Sequence, residues 1–261
     1  MYMESTLTPT HGGVVPISPV KKKRETHWLE ALLFSIFAIA FGFFQYAMQA
    51  RVYSVGQDDI WTYIRTASFA GATLIGFALL SSVIFRLFPR TAQYWRVRRY
   101  LGVWGCIYVY IHIVSVYIYY EFDLSQIYPT LNPLDNPKVF GLIAAPIFLA
   151  MALTSSDRAM DFLTPRRWKM LHRFVYVAYL ASVFHYISIN PQVLVSIPGA
   201  LLLTVTALTI VGHTYLFFRT AIRKRFRSVG SVVGLMIITS AIIIGWMVYQ
   251  DSVGPFLHSL T

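Results

Sequence analysis

The chain has 261 residues, of which 56% are apolar, 16% aromatic and only 13% charged, and its net charge is +11. Soluble domains carry about a quarter charged residues, so an ordinary water-soluble fold is excluded. The apolar residues form long uninterrupted blocks with short basic clusters between them, which leaves no basic groove or soluble module for nucleic acid.

Residues 1–27, with Pro9, Pro16, Pro19 and the run Lys21-Lys22-Lys23-Arg24, read as a flexible basic tail. A first helix is predicted over Trp28–Ala50. A basic stretch before an apolar one also describes a signal peptide. This apolar stretch is too long for a signal core and no A-x-A site closes it, so it reads as an uncleaved span. Further helices are predicted over Trp61–Phe88, Tyr100–Tyr120, Val139–Thr154, Trp168–Ile189 and Val195–Phe218, and a seventh over Val232–Tyr249. The expected fold is an all-α integral membrane protein. Residues 28–218 form its six-helix transmembrane domain, and 219–261 hold a basic loop, the extra helix and a short external tail.

Nineteen of the 22 basic residues fall in the tail or in and around the connections 2–3, 4–5 and 6–7, and six of the 11 acidic residues lie on the opposite side. The positive-inside rule then places the N-terminus in the cytoplasm and the C-terminus outside, in a multi-pass protein of the cell inner (plasma) membrane. Trp28, Trp61, Trp95, Trp168 and Trp246 fall near predicted helix ends, where interfacial aromatics belong.

Cys106 is the sole cysteine. An intrachain disulfide, a Cys-ligated iron–sulfur cluster and covalent c-type haem attachment are therefore excluded.

His11, His27 and His258 lie in tails or at a helix entry and read as solvated. Histidines inside a span are costly and normally face the bundle interior with a partner. His112 lies 12 residues past Tyr100 and His185 17 residues past Trp168. At 1.5 Å per residue both sit roughly 16–18 Å into the membrane, on helices running in the same direction. Two imidazoles at equal depth can supply both axial ligands of a haem iron. His172 precedes His185 by 13 residues, about 20 Å nearer the cytoplasm and about 220° around an ideal helix. Either that helix is distorted near Phe174 or His172 addresses another partner. For His213 a hydrogen bond to a neighbouring helix is favoured over ligation of a lower haem. Arg65 reads as snorkelling, with a propionate contact as the alternative.

The stretch Arg98-Arg99-Tyr100-Leu101-Gly102 leading to His112 resembles the ferric-reductase-like transmembrane family. So do Leu153-Thr154-Ser155, the run Arg167-Trp168-Lys169-Met170-Leu171-His172-Arg173-Phe174-Val175-Tyr176, and His185-Tyr186. Within that family it is most similar to the haem-binding membrane subunits of periplasmic methionine sulfoxide reductase systems. The resemblance implies a six-helix haem bundle in which His112, His172 and His185 bind haem b iron, with one haem expected and a second left open. It also implies FMN as a further cofactor. Electrons would come from a cytoplasmic flavin reductase or a membrane quinol and pass to a periplasmic molybdenum-dependent reductase. Larger relatives have a histidine where this chain has Arg99; the resemblance implies that Arg99 meets a haem propionate, a flavin phosphate or a lipid head group. The seventh helix and the long tail depart from the family pattern. The expected role is an oxidoreductase electron-transfer subunit. A ferric reductase acting directly on external metal, or a non-redox transporter or scaffold with structural histidines, are the alternatives.

Overall fold

A backbone immersed in hydrocarbon must satisfy its own hydrogen bonds, and an apolar block without breakers does so as a helix. The computed structural model describes residues 28–53, 59–189, 191, 196–224, 237 and 240. Helix α1 spans Trp28–Tyr53 and α2 Asp59–Leu87; a 3-10 turn, Pro89–Tyr94, leads into α3, Trp95–Tyr119. The short α4, Leu124–Ile127, precedes α5, Lys138–Leu153; α6 covers Asp157–Arg173, α7 Val175–Ile189 and α8 Ile197–Lys224. The basic tail lies outside the described residues, as does the expected seventh helix apart from Ile237 and Ser240.

The protein is an all-helical membrane protein among its described residues. Four stretches are long and apolar enough to cross a bilayer: Trp28–Arg51, Ile60–Leu87, Pro89–Tyr119 and Ile197–Thr220. Helix α5 and the run Asp157–Ile189 form a pair bent by 113°, which counts as a fifth. The sequence reading expected six spans in this region, two of them from this pair. With 16 residues, α5 reaches only about 24 Å of the roughly 30 Å hydrocarbon core. The helix expected to begin at Trp168 instead begins at Asp157. There Ser156 caps it, its Oγ accepting from the Ala159 N–H at 3.1 Å. This helix kinks at Thr164 (φ 63°, ψ 146°), where the following Pro165 disfavours helical backbone. It ends at Phe174, whose N–H bonds the Leu171 carbonyl at 3.0 Å in a tightened turn. Helix α5 continues unbroken through Pro146.

Helix α2 is the centre of the bundle: 78% of its apolar window is buried, against 17% for α1. Lipid offers no hydrophobic drive between helices, so close packing and hydroxyl contacts hold them together. The buried residues of α2 are accordingly small or hydroxylic, including Ala67, Ala70, Ala72, Thr73 and Ala78. At its crossing with α3 a Cβ on Gly71 would lie 2.9 Å from the Gly105 carbonyl oxygen, so only glycine permits the approach. Helix α1 is held to α3 by Trp104, which donates to Ser35 Oγ at 3.2 Å, and by Tyr108, which donates to the Ala38 carbonyl at 2.9 Å. Helix α5 packs along α7, burying Ala144 and Phe148 with Ala178, Tyr179 and Val183. Helix α8 closes on α2 and α7, with Thr206 and Tyr179 hydroxyls 2.8 Å apart.

The segment 120–137 between α3 and α5 is well organised. Glu121 and Phe122 take left-handed φ values of 51° and 60° to turn the chain back. Asp123 accepts from Ser125 N–H (2.9 Å), Ser125 Oγ (2.6 Å) and Gln126 Nε2 (2.9 Å), capping α4. These bonds hold its carboxyl below the ordinary aspartate pKa. Buried Asn136 donates to the Ile127 and Thr130 carbonyls, each at 3.2 Å. At the base, Trp61 packs 4.5 Å from Tyr119, and Lys138 Nζ lies 4.5 Å over the Tyr120 ring.

Candidate functional site

The crossing of α2 on α3 and the packing of α5 along α7 bring His112 and His185 together edge-on, with ring centroids 6.3 Å apart and planes at 70°. Each ring is fixed from behind by a backbone carbonyl. His112 Nδ1 lies 3.1 Å from the Ile64 oxygen of α2, and His185 Nδ1 lies 3.0 Å from the Pro137 oxygen at the start of α5. A carbonyl only accepts, so both Nδ1 atoms carry the proton and both Nε2 lone pairs are left for a ligand. This is the arrangement that orients metal-binding imidazoles elsewhere.

Two neutral imidazoles this close, each with an unbound Nε2, would both be available to one metal centre bound between them. Among the described residues no group of three or more His, Cys, Asp or Glu is placed to hold a metal ion. The pair therefore suits a metal whose other ligands come with it, as an iron porphyrin's do. Gly141 of α5 leaves room for the His185 ring, since a Cβ there would lie 3.4 Å from its Cε1.

His172, on α6, does not join this pair. Its Nε2 lies 3.3 Å from Thr154 Oγ1 at the far end of α5, and the Trp168 indole stacks on it at 4.0 Å. Trp168 also donates to the Thr154 carbonyl at 2.9 Å. Both histidines nevertheless address α5, His185 near its beginning and His172 near its end. Of the two outcomes that ideal periodicity left open, His172 takes the second and addresses a partner other than the His112–His185 pair. His172 opens onto a cavity of about 200 Å³ whose lining includes Arg98, Arg99, Cys106 and Trp168. It is the single histidine among the described residues of that lining.

Arg99, at the cavity rim, donates through Nη1 to Asp157 Oδ1 at 2.7 Å and so ties α3 to the first turn of α6. Both side chains are partly solvated, 32% and 61% exposed, so the pair contributes at most about 1 kcal/mol. Asp157→Asn is expected to lower the melting temperature in detergent only slightly.

His213 lies elsewhere, on α8, with Nε2 3.3 Å from the Tyr176 hydroxyl of α7. This is the interhelical hydrogen bond favoured from sequence. Arg65 is half-buried on α2, next to the residue whose carbonyl holds His112. The supporting carbonyls of Ile64 and Pro137, and Gly141, were not singled out from sequence, and Thr154 entered only within the Leu153-Thr154-Ser155 resemblance. A main-chain carbonyl has no residue signature, and a glycine or threonine gains its role only from the neighbour that meets it.

Comparison with known proteins adds an independent line. Residues 67–183 match the family described as ferric reductase like transmembrane component. His112 and His172 fall inside the matched segment and His185 just beyond it. The protein-methionine-sulfoxide reductase heme-binding subunit MsrQ of Cronobacter sakazakii is 34% identical over 114 residues, covering 41% of this chain and 56% of that protein. The subunit of the same name from Klebsiella pneumoniae is 29% identical over 123 residues, 46% of this chain and 61% of the relative. That of an Enterobacter species is 28% identical over 155 residues, 58% and 75% respectively. The chain spans roughly three fifths of the length of the first two relatives.

Proposed function

Because residues 67–183 match the ferric reductase like transmembrane component family, we propose that this chain is a haem b membrane subunit that conducts electrons across the bilayer. The observation that carries the reading is the close pair His112 and His185, each held through Nδ1 with Nε2 left over, which would hold the haem iron. When bound there, haem b supplies reversible one-electron chemistry in an apolar setting. The chain's own contribution is orientation. Two main-chain carbonyls select the tautomer, Gly141 leaves space for the second ring, and the small residues of α2 let α3 come close. The cavity beside His172 is the proposed entry at the basic, cytoplasmic end of the bundle. Arg98 gives it a positive charge, with Arg99 beside it paired to Asp157, suited to an anionic flat cofactor, either FMN or a second haem. The proposed donor is a cytoplasmic flavin reductase or a quinol, and the proposed acceptor an external molybdenum-dependent methionine sulfoxide reductase. The full six-plus-one helix arrangement belongs to the same proposal.

Direct reduction of external metal is less well supported. Asp123 is committed to capping α4, and Asp135 accepts from Asn132 Nδ2 at 2.6 Å, so the loop carboxylates do not converge.

The test is a reduced-minus-oxidised absorption spectrum of the purified full chain, with the haem-to-protein ratio. A b-type band at one haem per chain is expected, or two if the lower cavity is filled by porphyrin. Absence of any haem band would overturn the reading in favour of a transporter or scaffold. His213→Phe is expected to leave that ratio unchanged, because its partner is Tyr176 rather than a metal.

A further inference from the structure

The loop between α3 and α5 combines three features rarely found together on a connecting segment. It is internally rigid: Asn136 is buried and bonded on both sides, Asp123 caps α4, and Ile127 is only 1% exposed beneath them. On that frame it holds large apolar side chains outward, with Phe122 67%, Leu124 58%, Leu131 69% and Leu134 79% exposed. Around them its charges are mostly negative, from Glu121, Asp123 and Asp135 against Lys138. A solvated loop gains nothing from displaying leucines, and rigid exposed apolar groups rimmed by charge mark an interaction surface.

Lipid is the less fitting occupant. Trp61, Tyr119 and Tyr120 form an aromatic cluster at the ends of α2 and α3, where the interface belongs, and both ends of the loop start from it. Irregular backbone is not tolerated in hydrocarbon, and carboxylates are repelled by anionic head groups. The loop is also coupled to the histidine pair, for Pro137, three residues beyond Leu134, provides the carbonyl that fixes His185.

We propose that loop 120–137 is the docking platform for a soluble external redox protein whose contact face is apolar and ringed by lysine and arginine. The inference rests on the haem and orientation proposed above and adds to it the surface at which the electron leaves. Opposite charge steers encounter and sets its salt dependence, while the central leucines set the lifetime of the complex.

The full chain in phosphatidylcholine nanodiscs is titrated with fluorescently labelled cytochrome c, a soluble redox protein with a lysine-ringed contact face. Leu131→Ser/Leu134→Ser is expected to weaken binding at least tenfold, and Glu121→Lys to weaken it and flatten its salt dependence. Unchanged affinity in the leucine variant would overturn the proposal. A bimane label on Leu134→Cys is expected to be quenched by aqueous iodide and spared by spin-labelled lipid. The reverse would assign the loop to the membrane and also overturn it. Binding is read without haem, so a missing haem band condemns the electron-transfer reading and with it the partner's redox role, while the titration still reports on the loop as a docking surface. A haem-loaded parent that reduces cytochrome c but not a methionine sulfoxide reductase condemns only the choice of acceptor. In the leucine variant, haem content and oxidation by ferricyanide are expected to stay at parental values. If they fall together with binding, the loop only supports His185 and the proposal fails.

Discussion

His112→Ala and His185→Ala are each expected to remove the same haem from the purified protein. Occupancy should fall at least about tenfold in either variant, and the double variant should lose no more than the singles. Changes in the groups that merely support a metal ligand cost 10–100-fold in affinity, and deleting an axial ligand costs at least as much. The equivalence of the two variants is the informative part. The rings lie 6.3 Å apart and each is held by its own carbonyl, so neither substitution relieves the other. Loss of the band from one variant alone would break the pairing. His172→Ala should keep this haem and change only what the lower cavity binds, because its contacts are Thr154 and Trp168.

Gly105→Val is expected to destabilise the bundle and empty the haem site together. A Cβ at residue 105 would lie 2.7 Å from Ile75 Cγ1 and 2.9 Å from the Gly71 carbonyl oxygen. The isoleucine tip can turn, but the backbone oxygen cannot, so α2 and α3 must part. Overpacking of this kind costs about 1–3 kcal/mol or more. Here it also carries Ile64 away from His112. Gly102→Ala, one turn earlier on α3, is the control, since its Cβ would meet nothing closer than Ala78 Cβ at 3.9 Å. Replacing a helical glycine with alanine should leave the melting temperature unchanged or raised. The comparison is made by thermal unfolding in detergent and by haem content. Equal behaviour of the two variants would show that the close approach of α2 and α3 does not hold the site.

Most helices could be located from the sequence because hydrocarbon enforces them. The observed ends of α1, α2 and α5 fall within three residues of expectation, since the membrane penalises both a broken helix and a polar one. The signals were weaker where the chain leaves the core. The run around Asp157–Phe174 was assigned as a loop and the start of a span. Ser156 and Asp157 hold a helix-start signal, but it lay within a basic stretch that suggested loop. The kink at Thr164 was foreshadowed only by Pro165.

The histidine pair shows where sequence stops. Depth counting alone put His112 and His185 level, because rise per residue is fixed once two helices enter from the same side. Their meeting edge-on, and the protonation that frees both Nε2 atoms, depend on Ile64 and Pro137, 48 residues away from each ring in the chain. The same limit governs His172. Periodicity turned it away from His185, and its contacts are indeed elsewhere, at Thr154 and Trp168. The solvent this protein lives in, most of its helices and the level of its candidate ligands all follow from local composition and are legible along the chain. Which rings meet, which nitrogen is free and how large the lower cavity is were decided only in the folded bundle. Those properties belong to contacts between distant segments, and such contacts leave no local trace.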